Sequence, residues 1–575
     1  MLKQYEKWLS SPAVDEKTKE ELLSVKGDEN EIAARFSAPM AFGTAGLRSI
    51  MRAGISSMNV YTVAQTTAGL AQLILKEGGA SRGVAIACDS RLNSALFART
   101  AAEVLAYNGI KVYFFETLRP TPELSFAILH HNCIAGINIT ASHNPKEYNG
   151  YKVYWEDGAQ LPPDHATSVS EATAAIDIFS VQRMPFQEGV DSGIIEIIGK
   201  DTDNAFLDAV LACCINTEAM KEHGDSLNII YTSLHGTGIM LIPEAMKRCG
   251  ITNLRVVPSQ KNPDGNFPTV KSPNPETPEC FADAFALDKE ADCDSMLVIA
   301  TDPDADRTGA SIRCKDGTFM TLTGNQIGAL LVDYIIKGRR EQNKLPTNAC
   351  AIKSLVSSPL FDAICKDAGV TPMNVLTGFK YIGEKIKEFE ATKEHTFIFG
   401  YEESFGFLAG SYARDKDAVS ASVLIAEMAA YYKSKGKTLY EVLCELYEKF
   451  GYYRELTVGI DIKGINPMEQ MKQTMASLRT TPPAELAGTK VARMRDYKSN
   501  TVFENSVPTT PEAKLPSADM LYFELANGTD VVIRPSGTEP KIKLYVLAND
   551  KVSENAEKKC RIYSDAMKAI LVPEK

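Results

Sequence analysis

The chain is poor in the features that mark several common classes of protein. Its 575 residues include 12 cysteines but no Cys-x-x-Cys pair, which argues against a zinc site or a disulfide framework. No apolar run is long enough to span a bilayer, and the first residues lack the apolar core of a signal peptide. Lysine and arginine number 62 against 73 acidic residues, a net charge of −11, which disfavours a nucleic-acid or anionic-membrane surface. We therefore expect a cytoplasmic protein of unspecified oligomeric state that binds neither nucleic acid nor membrane.

Two glycine-rich segments lack the residue that would complete a nucleotide-binding motif. Residues 235–238 resemble the start of a dinucleotide fingerprint, but Leu241 stands where the third glycine is needed. The segment 436–438 resembles the end of a P-loop, but Tyr431 replaces its first glycine. Both motifs are therefore rejected, and NAD is not expected as a cofactor.

The chain is instead rich in apolar strands that alternate with helices. Continuous runs of Val, Ile and Leu occupy residues 83–89, 110–115, 135–139, 227–231, 254–257, 296–300, 349–353, 373–376 and 396–399. Such runs, separated by helices, predict parallel sheets covered on both faces. After residue 450 the pattern changes to alternating strands around a hairpin signal at Asn527 and Gly528. We predict an α/β fold with three similar α/β domains of mixed or parallel sheets (1–205, 206–322 and 323–450) and a C-terminal α+β domain (451–575).

Ser142 offers a hydroxyl at the end of a predicted strand. It lies in the segment 140–145, which reads TASHNP and follows the apolar run 135–139. Ligands bind at the carboxyl ends of parallel strands, and a serine hydroxyl placed there can carry a phosphoryl group. The alternative is that Thr140 and Ser142 only cap a turn.

Three carboxylates follow another apolar strand at alternate positions. Side chains two apart in an extended segment point to the same side, so Asp302, Asp304 and Asp306 offer three oxygens to a hard dication such as Mg²⁺. An EF-hand is excluded because Arg307 and Arg313 stand where its glycine and glutamate are needed. The alternative is a solvated acidic turn, and in either case we expect an exposed loop.

Three further segments carry polar groups at strand ends or turns. Residues 400–406 (GYEESFG) combine carboxylates and a hydroxyl suited to sugar hydroxyls, with a solvated strand-to-helix connection as the alternative. Residues 534–541 (RPSGTEPK) have the parts of a phosphate cradle, or of a simple turn. Residues 42–48 (FGTAGLR) place an arginine beside a glycine-rich turn.

Taken together and in this order, these segments resemble the α-D-phosphohexomutase superfamily, the phosphoglucomutases and phosphomannomutases. The resemblance runs through the whole chain, and the Glu-Glu-Ser at 402–404 is closest to phosphoglucomutases. It implies four domains around a central cleft. It also implies an intramolecular phosphotransferase that interconverts glucose 1-phosphate and glucose 6-phosphate, with Mg²⁺ as cofactor and glucose 1,6-bisphosphate as activator.

The resemblance also implies roles for individual residues. The implied catalytic residues are Ser142 as the phosphoserine, Lys152, Lys416, Arg48 and His143. The implied metal ligands are Ser142, through its phosphate, and Asp302, Asp304 and Asp306. The implied substrate-binding residues are Arg307, Lys380, Glu402, Ser404, Arg534, Ser536, Gly537 and Thr538. Arg307 would also contact the phosphoserine.

The chain departs from one pattern of the superfamily. Some bacterial members carry a histidine just after the sugar motif, where this chain has Gly406 and Phe407. Lys416, in the segment 414–417 (RDKD), resembles the lysine that phosphoglucomutases use instead. We expect Lys152 or Lys416, crowded by cations, to have a lowered pKa and to act as the acid or base.

Other functions stay open at this point. Phosphomannomutase, phosphopentomutase and glucose-1,6-bisphosphate synthase share the same motifs. From a different class, the segment 304–308 (DADRT) fits the D-x-D-x-T pattern of haloacid-dehalogenase-type phosphatases, which makes Asp304 the nucleophile and leaves Ser142 and Arg534 unexplained. A non-catalytic protein that binds sugar phosphates is the third alternative.

Overall fold

The computed structural model of the protein describes residues 1–40, 42–43, 46–291, 293–463, 466–505, 507–509, 517–537 and 540–572. The chain divides into two units. The first comprises Met1–Ile327, Lys337–Ala349 and Phe379–Leu439, and the second comprises Gly328–Ile336, Cys350–Gly378 and Tyr440–Lys575. The four-domain division made from the sequence stays a prediction.

The secondary structure alternates through most of the chain. The helices are α1 (Leu2–Ser10), α2 (Glu16–Ser24), α3 (Glu29–Phe36), α4 (Val60–Lys76), α5 (Ser94–Tyr107), α6 (Thr121–His130), α7 (Pro163–Ala175), α8 (Phe186–Asp191), α9 (Lys200–Leu211), α10 (Thr217–His223), α11 (Ile242–Arg248), α12 (Ala282–Glu290), α13 (Gly324–Glu341), α14 (Leu360–Asp367), α15 (Lys380–Thr392), α16 (Ala418–Ser434), α17 (Leu439–Phe450), α18 (Pro467–Thr480) and α19 (Ser553–Leu571). The strands are β1 (Leu47–Ile50), β2 (Val84–Cys88), β3 (Val112–Phe115), β4 (Ala135–Ile139), β5 (Tyr148–Trp155), β6 (Ile195–Ile198), β7 (Ile229–Thr232), β8 (Leu254–Val256), β9 (Leu297–Thr301), β10 (Thr308–Arg313), β11 (Phe319–Thr321), β12 (Ala349–Ser354), β13 (Thr371–Val375), β14 (Thr396–Glu402), β15 (Gly406–Leu408), β16 (Tyr452–Asp461), β17 (Glu485–Leu486), β18 (Thr489–Asp496), β19 (Thr501–Glu504), β20 (Val507–Thr509), β21 (Leu521–Leu525), β22 (Asp530–Pro535) and β23 (Lys541–Asp550).

The first unit contains two sheets of similar build. The first sheet has the order β1-β5-β4-β2-β3-β6, and the second has the order β11-β10-β9-β7-β8. In each, the apolar strands found in the sequence run parallel, and antiparallel strands extend one edge. The sheets are therefore mixed. The carboxyl ends of β4 and β9 lead directly into the segments that carry Ser142 and Asp302.

Three N-terminal helices pack onto the segment that follows β1. Their apolar side chains, Trp8 and Phe36 among them, form one cluster with Ala53 and Tyr61. Arg35 is buried beside them, where it pairs with Glu21 at 2.5 Å and Glu31 at 3.2 Å. These contacts join the N-terminal helices to the segment that follows β1.

The remaining part of the first unit is built around a hairpin and a buried helix. Strands β14 and β15 pair antiparallel, with Glu402 opposite Gly406. The sugar motif therefore forms a strand-to-strand turn, and the strand-to-helix alternative is wrong. Helix α16 follows, with Asp417 as its N-cap residue.

The second unit contains a parallel pair of strands and a large antiparallel sheet. Strands β12 and β13 pair parallel, and the antiparallel sheet has the order β16-β23-β22-β21-β18-β19-β20 with β17 beside β18. Helices α18 and α19 contribute Met471, Met475, Tyr563 and Met567 to its core. The predicted hairpin joins β21 to β22, with Gly528 at φ +78°. The α+β prediction for this part of the chain is therefore confirmed.

Among the described helices, none combines the length and the apolar character needed to cross a bilayer.

Candidate active site

Ser142 lies in a tight loop at the carboxyl end of β4. Its backbone is left-handed, with φ +51°, and its N–H donates to Thr140 Oγ1 at 2.8 Å. Ser142 Oγ lies 2.7 Å from Asp302 Oδ2 and 3.1 Å from His143 Nδ1. The two strand ends identified from the sequence therefore bring the hydroxyl into contact with the carboxylate cluster.

The three carboxylates converge, but through a turn. Ala305 has φ +49°, so the segment is a turn and is not extended. The three carboxylates were correctly predicted to lie together, but the alternation of side chains along an extended segment is not the reason. Nor is the loop exposed, since all three aspartates are buried. One oxygen from each lies within 4.8 Å of the others. Asp302 Oδ1 accepts the N–H groups of Asp306 and Arg307 at 3.1 and 3.0 Å.

The carboxylates are incompletely satisfied by their surroundings. Among the described residues, no donor reaches Asp304 Oδ1 or Asp306 Oδ1, and both atoms are buried. Burial and the charges of Asp304 and Asp306 raise the pKa of Asp302 well above its ordinary value. Buried carboxylate oxygens without donors, in a cluster whose members repel one another, are what a hard dication neutralises. The residues present therefore fit a divalent metal.

Two lysines flank the carboxylates. Lys152 on β5 donates to Asp304 Oδ2 at 2.8 Å and lies 3.6 Å from Asp306 Oδ2. Lys416 lies 3.1 Å from Asp306 Oδ2 and 2.9 Å from Asp415 Oδ1. Burial opposes the charge of both, yet the neighbouring carboxylates raise the pKa of Lys152 and of Lys416. The expected lowering of these pKa values by nearby cations is therefore wrong, because the lysines face acids.

Two predicted arginines and a histidine interact with the serine loop or with the carboxylates beside it. Arg48 Nη1 donates to Asn144 Oδ1 at 3.0 Å. Arg307 pairs with Glu276 and lies 4.0 Å from Asp306. His143 has a pKa held well below its ordinary value by burial and by the positive charges of Arg307 and Arg48. Arg48 therefore contacts the serine loop, and Arg307 lies close enough to His143 to lower its pKa, while the roles of all three residues stay predictions.

The predicted sugar-binding residues lie on β14, in the turn that follows it and at the start of α15. Glu402 is buried at the end of β14, and its charge helps raise the pKa values of Arg307 and Lys416. Ser404 lies in the turn that follows. Lys380 begins α15, one residue after Phe379, whose ring lies 5.7 Å from Lys416 Nζ. Burial lowers the pKa of Lys380.

The phosphate-cradle residues belong to the second unit. Arg534 is in β22, and the Ser536 N–H donates to the carbonyl of Lys541 at 2.8 Å. A Cβ atom on Gly537 would meet nothing within 4 Å. Thr538 lies outside the described residues.

Sequence reasoning missed several residues that shape the site. Thr121 Oγ1 donates to Asp304 Oδ2 at 2.9 Å and accepts from Asn138 Nδ2 at 2.7 Å. Tyr154 donates to Asp415 Oδ2 at 2.8 Å, which holds the acid that pairs with Lys416. A buried asparagine inside an apolar strand was the available signal for Asn138, but nothing local distinguishes Thr121.

A serine hydroxyl against a buried carboxylate triad, with two buried lysines beside it, at the strand ends of mixed α/β sheets is typical of an α/β phosphotransferase. Comparison with known proteins identifies the family of phosphotransferase. Residues 39–178, 204–315 and 323–450 match the families described as phosphoglucomutase/phosphomannomutase, alpha/beta/alpha domains I, II and III. The chain is also 37% identical over 518 residues to a phosphoglucomutase from Staphylococcus haemolyticus, covering 89% of this chain and 91% of the relative. The chain belongs to the phosphoglucomutase/phosphomannomutase family of the α-D-phosphohexomutase superfamily, and within it is close to the phosphoglucomutases.

Solved structures share the fold at low sequence identity. A phosphoglucomutase/phosphomannomutase family protein from Burkholderia thailandensis matches with a TM-score of 0.65 at 18% identity, covering 93% of this chain and 98% of the other. An N-acetylphosphoglucosamine mutase variant from Aspergillus fumigatus, solved with glucose 1,6-bisphosphate, matches with a TM-score of 0.50 at 13% identity, covering 97% and 99%.

Proposed function

We propose that this phosphohexomutase interconverts glucose 1-phosphate and glucose 6-phosphate through a phosphate carried on Ser142. The observation that supports the proposal best is the contact of Ser142 Oγ with the carboxylate cluster, 2.7 Å from Asp302. A hydroxyl held there can accept a phosphoryl group from one position of the sugar and return it to the other.

Mg²⁺ is the proposed metal. Asp302, Asp304 and Asp306 would hold it, together with the phosphate of Ser142. Such an ion lowers the charge density on the phosphoryl oxygens and so stabilises a loose transition state.

Two arginines of the chain would stabilise the remaining negative charge on the transferred phosphoryl group. Arg307 and Arg48 lie beside the serine loop, where they can donate to the oxygens of the transferred group. Donors fixed before the reaction need no reorganisation as charge develops, which is the usual source of rate enhancement in phosphoryl transfer.

Lys152 and Lys416 are the proposed acid and base. The attacking sugar hydroxyl must give up its proton, and the serine oxygen must receive one when it is released. Because nearby carboxylates raise both lysine pKa values, each lysine starts as an ammonium group. This state suits the proton donor, and the lysine that serves as base must first lose its proton.

Recognition of the sugar is assigned to Glu402, Ser404 and Lys380. A carboxylate and a hydroxyl accept and donate to vicinal hydroxyls, and an ammonium group at the start of α15 suits a phosphorylated substrate. Arg534, Ser536, Gly537 and Thr538 are proposed to bind the phosphate that is not transferred. Glucose is the proposed sugar because the relative described above is a phosphoglucomutase.

Glucose 1,6-bisphosphate is the proposed activator. It would phosphorylate Ser142, and it would also be the intermediate that must turn around in the site before the second transfer. A structural relative of the same superfamily has been solved with this compound, which supports its use as the probe below.

The mass of the intact protein tests the proposal. Ser142 phosphorylation adds about 80 Da and near two negative charges. Glucose 1,6-bisphosphate should add this mass and glucose 6-phosphate should remove it, while Ser142→Ala should take up none and lose nearly all mutase activity. Transfer to Asp304 in place of Ser142 would support the phosphatase alternative.

The choice of sugar is tested separately. Glucose, mannose and ribose 1-phosphates are assayed at matched concentrations with the same activator. We expect the highest kcat/KM for glucose 1-phosphate. A higher value for either other sugar would change the substrate but leave the phosphoserine assignment standing.

A further inference from the structure

The side chain of Arg91 is buried beneath the Ser142 loop and binds its backbone. Nη1 donates to the carbonyls of Pro145 and Tyr148 at 2.9 and 3.1 Å. Nη2 donates to the carbonyls of Ser142 and Asn144, both at 2.5 Å. One guanidinium therefore gathers four carbonyl oxygens from a stretch of seven residues.

Only a particular kind of donor can do this. Four carbonyl dipoles that point at one place repel one another, so the loop needs a positive charge at its centre. The guanidinium supplies that charge in a planar fork whose N–H groups diverge, whereas an ammonium group presents all its donors from a single atom. The geometry of the loop is thus matched to arginine.

Arg91 is itself held from several sides. Its Nε lies 3.3 Å from Asp89 Oδ2, and neither side chain is exposed. The ring of Phe267 lies 5.0 Å from its Cζ. Its backbone forms a bridge with Gly265, where an added Cβ would come within 2.4 Å of the N atom of Leu92. The guanidinium therefore has little freedom to follow the loop if the loop moves.

The loop that Arg91 holds is not a relaxed one. Ser142 has a positive φ, a conformation that is unfavourable for a non-glycine residue and persists only where the surroundings impose it. In this conformation Ser142 Oγ lies 2.7 Å from Asp302 Oδ2. If the carbonyls were released, the serine would be free to leave the left-handed region and carry its hydroxyl away from the carboxylates.

We infer that Arg91 is a positioning residue for phosphoryl transfer at Ser142. Its guanidinium donates to the backbone carbonyls of the Ser142 loop, so it acts on the transfer step by fixing that loop. The inference rests on the proposed phosphoserine function and names a residue that this function depends on.

The substitution Arg91→Lys tests it, because it keeps the charge and removes the fork. We expect kcat to fall about 10²-fold, the scale of a misplaced reacting group, with little change in KM for glucose 1-phosphate. Phosphorylation of Ser142 by glucose 1,6-bisphosphate, followed by intact mass, should slow by the same factor. In Arg91→Ala, guanidinium ion added at non-denaturing concentration should restore part of the rate.

A matched control separates positioning from general damage. Arg35 is also buried, also donates to a backbone carbonyl and also pairs with acids, but it lies in the N-terminal helices. Arg35→Lys should keep the wild-type kcat. If Arg91→Lys is too unstable to assay, Phe267→Leu leaves the guanidinium in place and loosens it, and should lower kcat without raising KM.

The outcomes distinguish the two proposals. Wild-type kcat in Arg91→Lys, or a loss that appears only in KM, would overturn the positioning role. A wild-type protein that takes up no phosphate on Ser142 would instead overturn the proposed function. Loss of kcat in Arg91→Lys with full activity in Arg35→Lys supports the inference.

Discussion

At the scale of single residues, the lack of a side chain at Gly406 leaves the space that Lys416 occupies. A Cβ atom on Gly406 would stand 2.1 Å from Lys416 Cδ and 2.6 Å from its Cγ. The aliphatic stem of the lysine therefore occupies the space beside the glycine, and its ammonium group reaches Asp306 and Asp415. The glycine and the lysine form one arrangement, although ten residues separate them.

Gly406→Ala should therefore displace Lys416. We expect kcat to fall between about 10- and 100-fold, since a reacting or charge-stabilising group is moved by an ångström or more. Thermal unfolding should change little by comparison. The measurement is steady-state kinetics beside that of Lys416→Met and the double variant. The double variant should be no worse than Lys416→Met, because both changes remove the same contact. Independent, additive losses would show that Gly406 matters for another reason.

The sequence was sufficient to find most of this site but not its electrostatics. Ser142, Asp302, Asp304 and Asp306 lie together as expected from two strand ends, and Lys152, which only the family resemblance implied, lies with them. The predicted direction of the lysine pKa shifts was wrong. That direction depends on the charged side chains that other strands and loops place beside the lysines, and these are carboxylates. Asp304 lies 152 residues from Lys152, so no local pattern gives their 2.8 Å contact.

At the scale of elements, the strands with continuous apolar runs were found, and strands without such runs, β1, β5 and β10 among them, were missed. Strand β5 contains Asn149 and Gly150, a pair that is typical of a turn. In the folded chain these residues lie inside the strand, opposite Ser49 and Arg48 of β1. Gly150 is needed there because a Cβ would come within 2.4 Å of the carbonyl oxygen of Thr140. The sequence does not show where two strands approach each other closely. The glycine that permits this approach was therefore easily mistaken for a turn residue.

The N-terminus of α16 offers a prediction about stability. Asp417 caps this helix by accepting the N–H groups of Val419 and Ser420 at 2.7 and 3.2 Å, and it accepts a hydrogen bond from Tyr412. Burial nevertheless raises the pKa of Asp417 to about 6. A carboxyl whose pKa is higher in the folded than in the unfolded chain binds more protons when folded, so its contribution to stability falls as pH rises from about 4 to 6.

Asp417→Asn should remove this dependence while keeping the cap, since an asparagine oxygen also accepts at this position. We expect the variant to melt above the wild type at pH 7.5, by up to the equivalent of about 3 kcal/mol, with a smaller gap at pH 5. Scanning calorimetry at the two pH values gives the difference.

The cap of α2 provides a control of opposite sign. Partial burial works against the charge of Asp15, but hydrogen bonds from Tyr61 and Thr18 hold its pKa below the ordinary value. Asp15 therefore stabilises above its unfolded pKa and loses this contribution as pH falls. Asp15→Asn should melt below the wild type at pH 7.5. A gap for Asp417→Asn that does not depend on pH would contradict the assignment of the buried charge.

At the scale of the whole molecule, the candidate residues are divided between the two units. The serine, the carboxylates, the lysines and the predicted sugar-binding residues belong to the first unit, and the predicted phosphate-binding residues around Arg534 belong to the second. The proposed function therefore requires both units, although the chemical step uses side chains of the first alone. This division gives a kinetic signature, because removing a group from the second unit should affect the binding of the retained phosphate more than the phosphoserine.

Arg534→Ala tests that signature. Loss of a charge-assisted hydrogen-bond partner for the retained phosphate should lower kcat/KM for glucose 1-phosphate by about 10- to 100-fold. Phosphorylation of Ser142 by glucose 1,6-bisphosphate should be slower but still go to completion, as followed by intact mass. Arg561→Ala, which removes an exposed arginine from α19 of the same unit, should match the wild type in both assays. An unchanged kcat/KM in Arg534→Ala would show that the C-terminal loop does not bind the substrate. It would favour the alternative that residues 534–541 form a simple turn. Failure of Ser142 to become phosphorylated at all in this variant would mean instead that the second unit takes part in the transfer step itself.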